Sequence, residues 1–245
     1  MRKNFYSIVF IIFILATVNF ANAEDGYKLW LKYDLIIDVN LLNEYRNVIK
    51  AIMVNGESAT IQAARNELQN GLNGLLGSTI PQINEVSEDG IIIAGTFKNF
   101  PLFENLDLNE KLLKVGEEGF VISNEKTNGN KVIVITANND IGVLYGVFHF
   151  LKLLQTHQAI SSLDIISAPK IKLRMLNHWD RIDGTRVYHG FSIWDWPTLP
   201  YFIKQRYIDY ARANASIGIN GTAPQTPPWL WLSPAKLCRV LSVGS

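Results

Sequence analysis

Residues 141–155, IGVLYGVFHFLKLLQ, are apolar almost all round, so a helix here has no face to give to water and must be buried on every side. Asn138-Asn139-Asp140 ahead of it supplies a cap. A helix of this kind needs a sheet to lie on, and three β-rich runs precede it: 91–94, 119–123 and 131–136, separated by Gly, Asn, Asp and charged residues. Further upstream the stretch NVIKAIMV, 47–54, reads as a strand that ends at the turn signal Asn55-Gly56. The period then changes. In 58–76 the residues Ile61, Ala64, Leu68, Leu72 and Leu75 recur at steps of three and four, which predicts a second helix with one apolar stripe, stopped by Gly77. The expectation for 24–168 is therefore an α/β sandwich, one sheet with helices packed on a face.

Ahead of that unit, Arg2 and Lys3 precede an apolar run, 8–18, too short and wrongly flanked to span a bilayer. Ala21-Asn22-Ala23 follows, with small residues where a signal peptidase reads them, so 1–23 is expected to be a signal peptide and the mature chain to be secreted, extracellular or periplasmic, with no membrane attachment after cleavage. Charge argues the rest of the class. Lys and Arg total 23 against 22 Asp and Glu, with no basic stripe interleaved with aromatics, which speaks against a nucleic-acid partner. The single cysteine, Cys238, excludes an internal disulfide framework and a cysteine-based zinc site.

After Ala168-Pro169-Lys170 a second pattern begins. A strand is expected over 171–176, a helix over about 202–215 and a strand at Ile217-Gly218-Ile219-Asn220. Strand, helix, strand is how a parallel (β/α)8 barrel opens, and 169–222 reads as the start of one. From 223 to 245 the text shows no period and becomes proline-rich, so the expected barrel is truncated and this tail aberrant, as a change of reading frame would make it. A barrel needs roughly 200 residues or more.

The cluster Asn177-His178-Trp179-Asp180 stands at the C-terminal end of the first expected barrel strand, where such folds place their chemistry. Trp179 can cover the apolar face of a sugar ring with little loss of conformational freedom. His178 reads equally as a group orienting a substrate hydroxyl or carboxylate and as a satisfied structural histidine. Asp180 reads first as a carboxylate that fixes a neighbouring His or Arg. Trp194 and Trp196 read more readily as packing than as sugar platforms. Glycoside hydrolysis takes two carboxyl groups facing one another across the sugar, and no spacing rule singles out such a pair among Asp180, Asp183 and Asp195. None of the three is expected to be the general acid. No GxGxxG opening a helix, Walker loop, HExxH or GxSxG occurs, which leaves no metal or cofactor expected. The sequons at Asn214 and Asn220 fall at expected element ends.

Three ordered motifs carry a resemblance. NNDIGVLYGVFHFLKLL within 137–154, then KLRMLNHWD at 172–180, then RYIDYAR at 206–212, with GYKLWLKY at 26–33 as an opening, are similar to the xylan α-glucuronidases of glycoside hydrolase family 67. What the resemblance implies is an N-terminal α/β domain, a central (β/α)8 barrel with the active site, and a helical C-terminal dimerisation domain that this chain would lack. It implies release of (4-O-methyl)glucuronic acid α-1,2-linked to xylo-oligosaccharides, with inversion and no cofactor. Acidic xylo-oligosaccharides are then the expected partner, with substrate-binding roles for Trp179, His178, Asn177 and Asp180, and the acid and base carboxylates on later barrel strands. In place of the family's usual Glu-Arg-Gly-Tyr before Gly190, this chain has Arg186-Val187-Tyr188-His189, so a substrate-facing glutamate is missing. A different class, a non-catalytic secreted glycan-binding module, is the alternative.

Overall fold

The structure, a computed structural model of the chain, describes residues 24–178, 194–195, 198 and 201–224. The expected signal peptide and the tail from 225 lie outside them. Residues 24–30 form a unit of their own, a turn closed by the Leu29 N–H on the Gly26 carbonyl at 3.1 Å. The second unit begins at Leu31 and holds all regular structure among the described residues: α1 (Val39–Val48), β1 (Ala51–Val54), α2 (Ala59–Leu76), β2 (Ile91–Thr96), two 3-10 turns over Phe97–Asn99 and Pro101–Asn105, α3 (Asn109–Val115), β3 (Phe120–Thr127), β4 (Asn130–Ala137), α4 (Asp140–Gln155), β5 (Asp164–Ser167), β6 (Met175–His178), α5 (Gln205–Ser216) and β7 (Gly221–Pro224).

Five strands make one mixed sheet in the order β1-β2-β4-β3-β5. β1, β2 and β4 run parallel, while β3 is antiparallel to both β4 and β5. The unbroken apolar run Ile91-Ile92-Ile93-Ala94 is what a parallel strand covered on both sides requires, and all four are buried. Alternation sorts its residues. Ile91, Ile93, Val132, Val134 and Val121 join Phe100, Phe103, Leu108 and Leu112 in one cluster, so the 3-10 turns and α3 close that side. Gly146 of α4 lies against Ile135 on the other side, where α2 and α4 pack. The mixed α/β sheet with helices is as expected; the cover on its second face was not. β3 and β4 are joined by Asn128-Gly129 with φ of 52° and 84°, the two-residue hairpin in which the left-handed conformation is needed twice.

Helix α2 matches its expected bounds because both ends are marked: the Ser58 hydroxyl accepts from the Ile61 N–H at 3.2 Å, and Gly77 takes φ 62°. Three other expected elements shift. The strand expected over 47–54 is only Ala51–Val54, since Asp38 caps a helix upstream, accepting from Asn40 and Leu41, and buried Leu42 and Tyr45 carry that helix through Val48. Tyr45 fixes it by donating to the Gln158 carbonyl at 2.6 Å. Burial of Leu42 and Tyr45 overrides the β preference of Val48, while Ile49, the cap, is already extended. The strand expected over 171–176 is instead Met175–His178, because the carbonyls of Ile171 and Lys172 accept from the Arg174 guanidinium and the Asn220 amide rather than from a ladder. The strand expected at 217–220 is displaced to Gly221–Pro224 by the turn that ends α5, in which the Ile217 and Ile219 N–H groups return to the Asn214 carbonyl. β7 therefore runs two residues beyond Thr222.

β6 and β7 pair in parallel, Met175 opposite Gly221 through His178 opposite Pro224, and α5 lies between them in sequence.

Candidate functional site

β6 ends on two of the expected site residues. Asn177 is exposed, and His178, on the opposite face of the strand, is half-buried. Trp179 and Asp180 lie outside the described residues, as do Asp183 and Trp196.

The face of β6 that bears His178 is the one α5 covers. Tyr207, Ala211, Asn214 and Ala215, at helical spacing, are the buried stripe of α5. Tyr210 shares a hydrogen bond between its hydroxyl and His178 Nε2, and the same hydroxyl is 3.5 Å from Thr222 Oγ1 of β7. Trp194, 5% exposed, fills the space beside them: its ring is 5.9 Å from His178 and 5.3 Å from Tyr210, both edge-on, and 5.1 Å from Tyr207 in a tilted stack. Such pairs each add about 0.5–1.5 kcal/mol beyond the area they bury, so the four rings hold one another and the end of β6. Trp194 is a packing residue here, as its type suggested.

Beside the rings, the Tyr207 hydroxyl accepts the Asp195 N–H at 2.6 Å, and Asp195 Oδ2 receives the Lys204 ammonium at 2.6 Å. The Lys204 hydrogen bond, helped by Thr198, holds the Asp195 carboxyl below the usual carboxylate range, and Asp195 in turn raises Lys204. A carboxylate so held stays ionised at neutral pH and is badly suited to donate a proton to a leaving oxygen.

Two carboxylates, one buried and one half-buried, tie the β6–α5–β7 part to the sheet. Glu67 of α2, 7% exposed, takes both arms of Arg212 of α5, at 2.7 and 2.8 Å, and the Tyr33 hydroxyl; Arg212 also donates to the Leu31 carbonyl at 3.2 Å and lies 5.6 Å from the centre of the Tyr33 ring. Burial pushes the Tyr33 phenol up, and the neighbouring Glu67 carboxylate adds to it. For Arg212 burial opposes the charge, and Glu67 with Tyr33 more than offsets it, so the guanidinium is held charged. Glu118, ahead of β3, receives Arg174 and the Asn220 amide, the latter at 3.0 and 3.2 Å.

Sequence reading singled out neither glutamate, nor the pair Tyr207 and Tyr210. The signal for the tyrosines was available: RYIDYAR places them three apart, on one face of any helix. The glutamates were not legible, since their partners lie 145 and 56 residues away.

Comparison with known proteins places these features. Residues 29–150 match the model of the glycosyl hydrolase family 67 N-terminus, and 153–226 match that of the family 67 middle domain. The chain is 28% identical over 214 residues to the probable α-glucuronidase A of Aspergillus fumigatus, covering 85% of this chain and 24% of that protein. It is 29% identical over 210 residues to the α-glucuronidase A of Emericella nidulans, covering 82% and 24%. The chain thus spans about a quarter of the length of the curated relatives it matches. Among solved structures, a family 115 4-O-methyl-α-glucuronidase with specificity for decorated arabinogalactans aligns with a TM-score of 0.54 at 13% identity, over 79% of this chain and 28% of that one, a likeness of fold.

Proposed function

Since the chain belongs to glycoside hydrolase family 67, we propose that it is the N-terminal part of a secreted α-glucuronidase that removes (4-O-methyl)glucuronic acid, α-1,2-linked, from xylo-oligosaccharides with inversion. The observation that carries this reading is the order and content of the two parts: a five-stranded α/β sheet matching the family's N-terminus, then the parallel pair β6 and β7 joined through α5 and matching its middle domain. In this reading β6, α5 and β7 are the first strand, helix and strand of a (β/α)8 barrel whose other strands are not among the described residues.

The site begins where β6 ends. Trp179 and Asn177, with His178 and Asp180, contact the uronic acid or its neighbouring xylose, and the ring cluster of His178, Trp194, Tyr207 and Tyr210 fixes the strand end from which those residues issue. Inversion needs an acid and a base about 6.5–9.5 Å apart so that a water fits between base and sugar. Asp195, paired with Lys204, does not supply the acid. Both carboxylates therefore belong to later strands, and these 245 residues by themselves bind without hydrolysing.

The test is release of 4-O-methyl-glucuronic acid from aldouronic oligosaccharides by the purified chain. No release is expected. Turnover by this chain would assign the chemistry to Asp180, Asp183 or Asp195 and overturn the division of labour proposed. Tight oligosaccharide binding that survives Trp179→Ala would favour a glycan-binding module with its site elsewhere.

A further inference from the structure

At the opposite end of β6 from His178, about 10 Å away at the rise of an extended strand, there is a second concavity. It has a volume of about 310 Å³, at the small end of the range for small-molecule pockets. Its walls come from α4, the exit of β5 and the turn that ends α5.

The charges in it are unevenly used. Arg174 is engaged: its guanidinium holds Glu118 and the carbonyls of Gly218 and Ile171, and it lies 5.9 Å from the centre of the Tyr145 ring. Lys152 and His149, three apart on α4, are not. Neither has a hydrogen-bond or ion-pair partner among the described residues, although both line the cavity. The His149 ring packs against Phe120 at 5.3 Å. Burial and the neighbouring Lys152 lower its basicity, so at neutral pH it offers a neutral ring with one N–H. The formal balance of Arg174, Lys152 and Glu118 is then a single positive charge.

We propose that this cavity binds a small polyhydroxylated monocarboxylate, of the size of one sugar acid, with its carboxylate on Lys152 and His149 and its hydroxyls donating to Glu118. Each element of the chemistry has a counterpart on the walls. Exposed Lys152 and half-buried His149 offer two donors that the protein itself does not hold, and a carboxylate there gains a charge-assisted hydrogen bond from the ammonium. Glu118, an acceptor with oxygens only partly used by Arg174 and Asn220, calls for hydroxyl donors. Phe120 and Pro169 give an apolar wall for C–H groups. One net positive charge is matched by one negative charge; a dianion would overshoot it and face both Glu118 and the C-terminal end of α5, where the helix dipole is negative.

The site is separate from the residues at the C-terminal end of β6, and its test does not depend on hydrolysis. The chain would be titrated with sodium D-glucuronate, with xylose and with inorganic phosphate, and followed through the NMR signals of the His149 ring and the Arg174 Nε–H. One-to-one glucuronate binding is expected, with xylose silent and phosphate weaker. Lys152→Ala should weaken glucuronate at least tenfold, and Ala168→Trp, at the exposed mouth, should abolish it, both with unchanged unfolding midpoints. Failure of glucuronate to move either signal, affinity unaltered in both variants, or phosphate binding the more tightly would each overturn the assignment.

Discussion

Asn220 shows how much one side chain can be asked to do. Its amide donates to both Glu118 oxygens and to the Lys172 carbonyl at 2.6 Å, its Oδ1 accepts the Arg174 N–H at 2.9 Å, and its own N–H donates to the Arg174 carbonyl at 3.0 Å. It is 5% exposed. As part of an Asn-Gly-Thr sequon it is out of reach of glycosylation in the folded chain, and Asn214, at 6% exposed and donating to the Tyr210 carbonyl, is equally so. Replacing Asn220 by Ala strands the Arg174 N–H, leaves the Lys172 carbonyl only its 3.4 Å contact with the Arg174 guanidinium and removes a donor from a carboxylate, which should cost about 2 kcal/mol. Asn220→Asp should cost more at pH 7, because it sets a second carboxylate against Glu118. That excess should shrink in acid, since two carboxylates sharing a site raise the affinity of one for a proton and relieve the repulsion. Urea unfolding of the two variants at pH 7 and pH 5 measures both claims, and equal midpoints for Ala and Asp at pH 7 would contradict the second.

At the scale of elements, what was legible followed from period and punctuation. α2, α4 and the three inner strands rest on apolar spacing, and the order of strand, helix and strand after 169 was legible too, although contacts of Arg174 and Asn220 and the turn after α5 move both of those strands along the chain. What was not legible rests on partners distant in sequence. α1 absorbs Asn47 and Val48 because Tyr45 reaches Gln158; β5, short and at the sheet edge, exists because it pairs with β3; α3 and the 3-10 turns close a face that the sequence does not announce. The candidate site divides the same way: Asn177 and His178 were placed at a strand end by the sequence, whereas the rings that hold His178 come from α5 and from Trp194. The glycines of α4 mark the closest approach of helix to sheet. A Cβ on Gly142 would sit 2.4 Å from the Gly119 carbonyl oxygen and 2.6 Å from Ala137 Cβ, neither of which can move aside, while one on Gly146 would meet the Ile135 side chain at 2.8 Å. Alanine gains up to about 1 kcal/mol of helix preference over glycine, and overpacking costs about 1–3 kcal/mol. Gly142→Ala should therefore destabilise by about 2 kcal/mol and Gly146→Ala by less. Thermal unfolding of the pair checks the order, and a Gly142→Ala chain as stable as the parent would mean that α4 can shift on the sheet.

The whole molecule does not divide energetically where the sequence pattern changes. The middle-domain match begins at 153, ahead of β5, which is a strand of the first sheet, while the pattern breaks at 168. Two carboxylates of the sheet part, buried Glu67 and half-buried Glu118, are neutralised from beyond that break, by Arg212 and Arg174. A carboxylate deprived of its partner in a buried setting costs roughly 3–5 kcal/mol, which is more than a domain of this size can lose without consequence. Glu67, with its side chain 8% exposed, carries more of this cost than Glu118, which at 25% exposed keeps access to water. A chain ending at Ser167 should then be less stable than the whole by several kcal/mol, although every strand of the five-stranded sheet is present. Glu67→Gln should recover part of that loss in the short chain, since an amide still accepts from Tyr33 but carries no charge; in the whole chain the same substitution should destabilise by breaking the pair with Arg212. Opposite signs in the two backgrounds, read from urea midpoints, are the signature of a carboxylate that couples the sheet to the β6–α5–β7 part. The same sign in both would leave the two parts as independent folding units and the pairing with Arg212 as a surface detail.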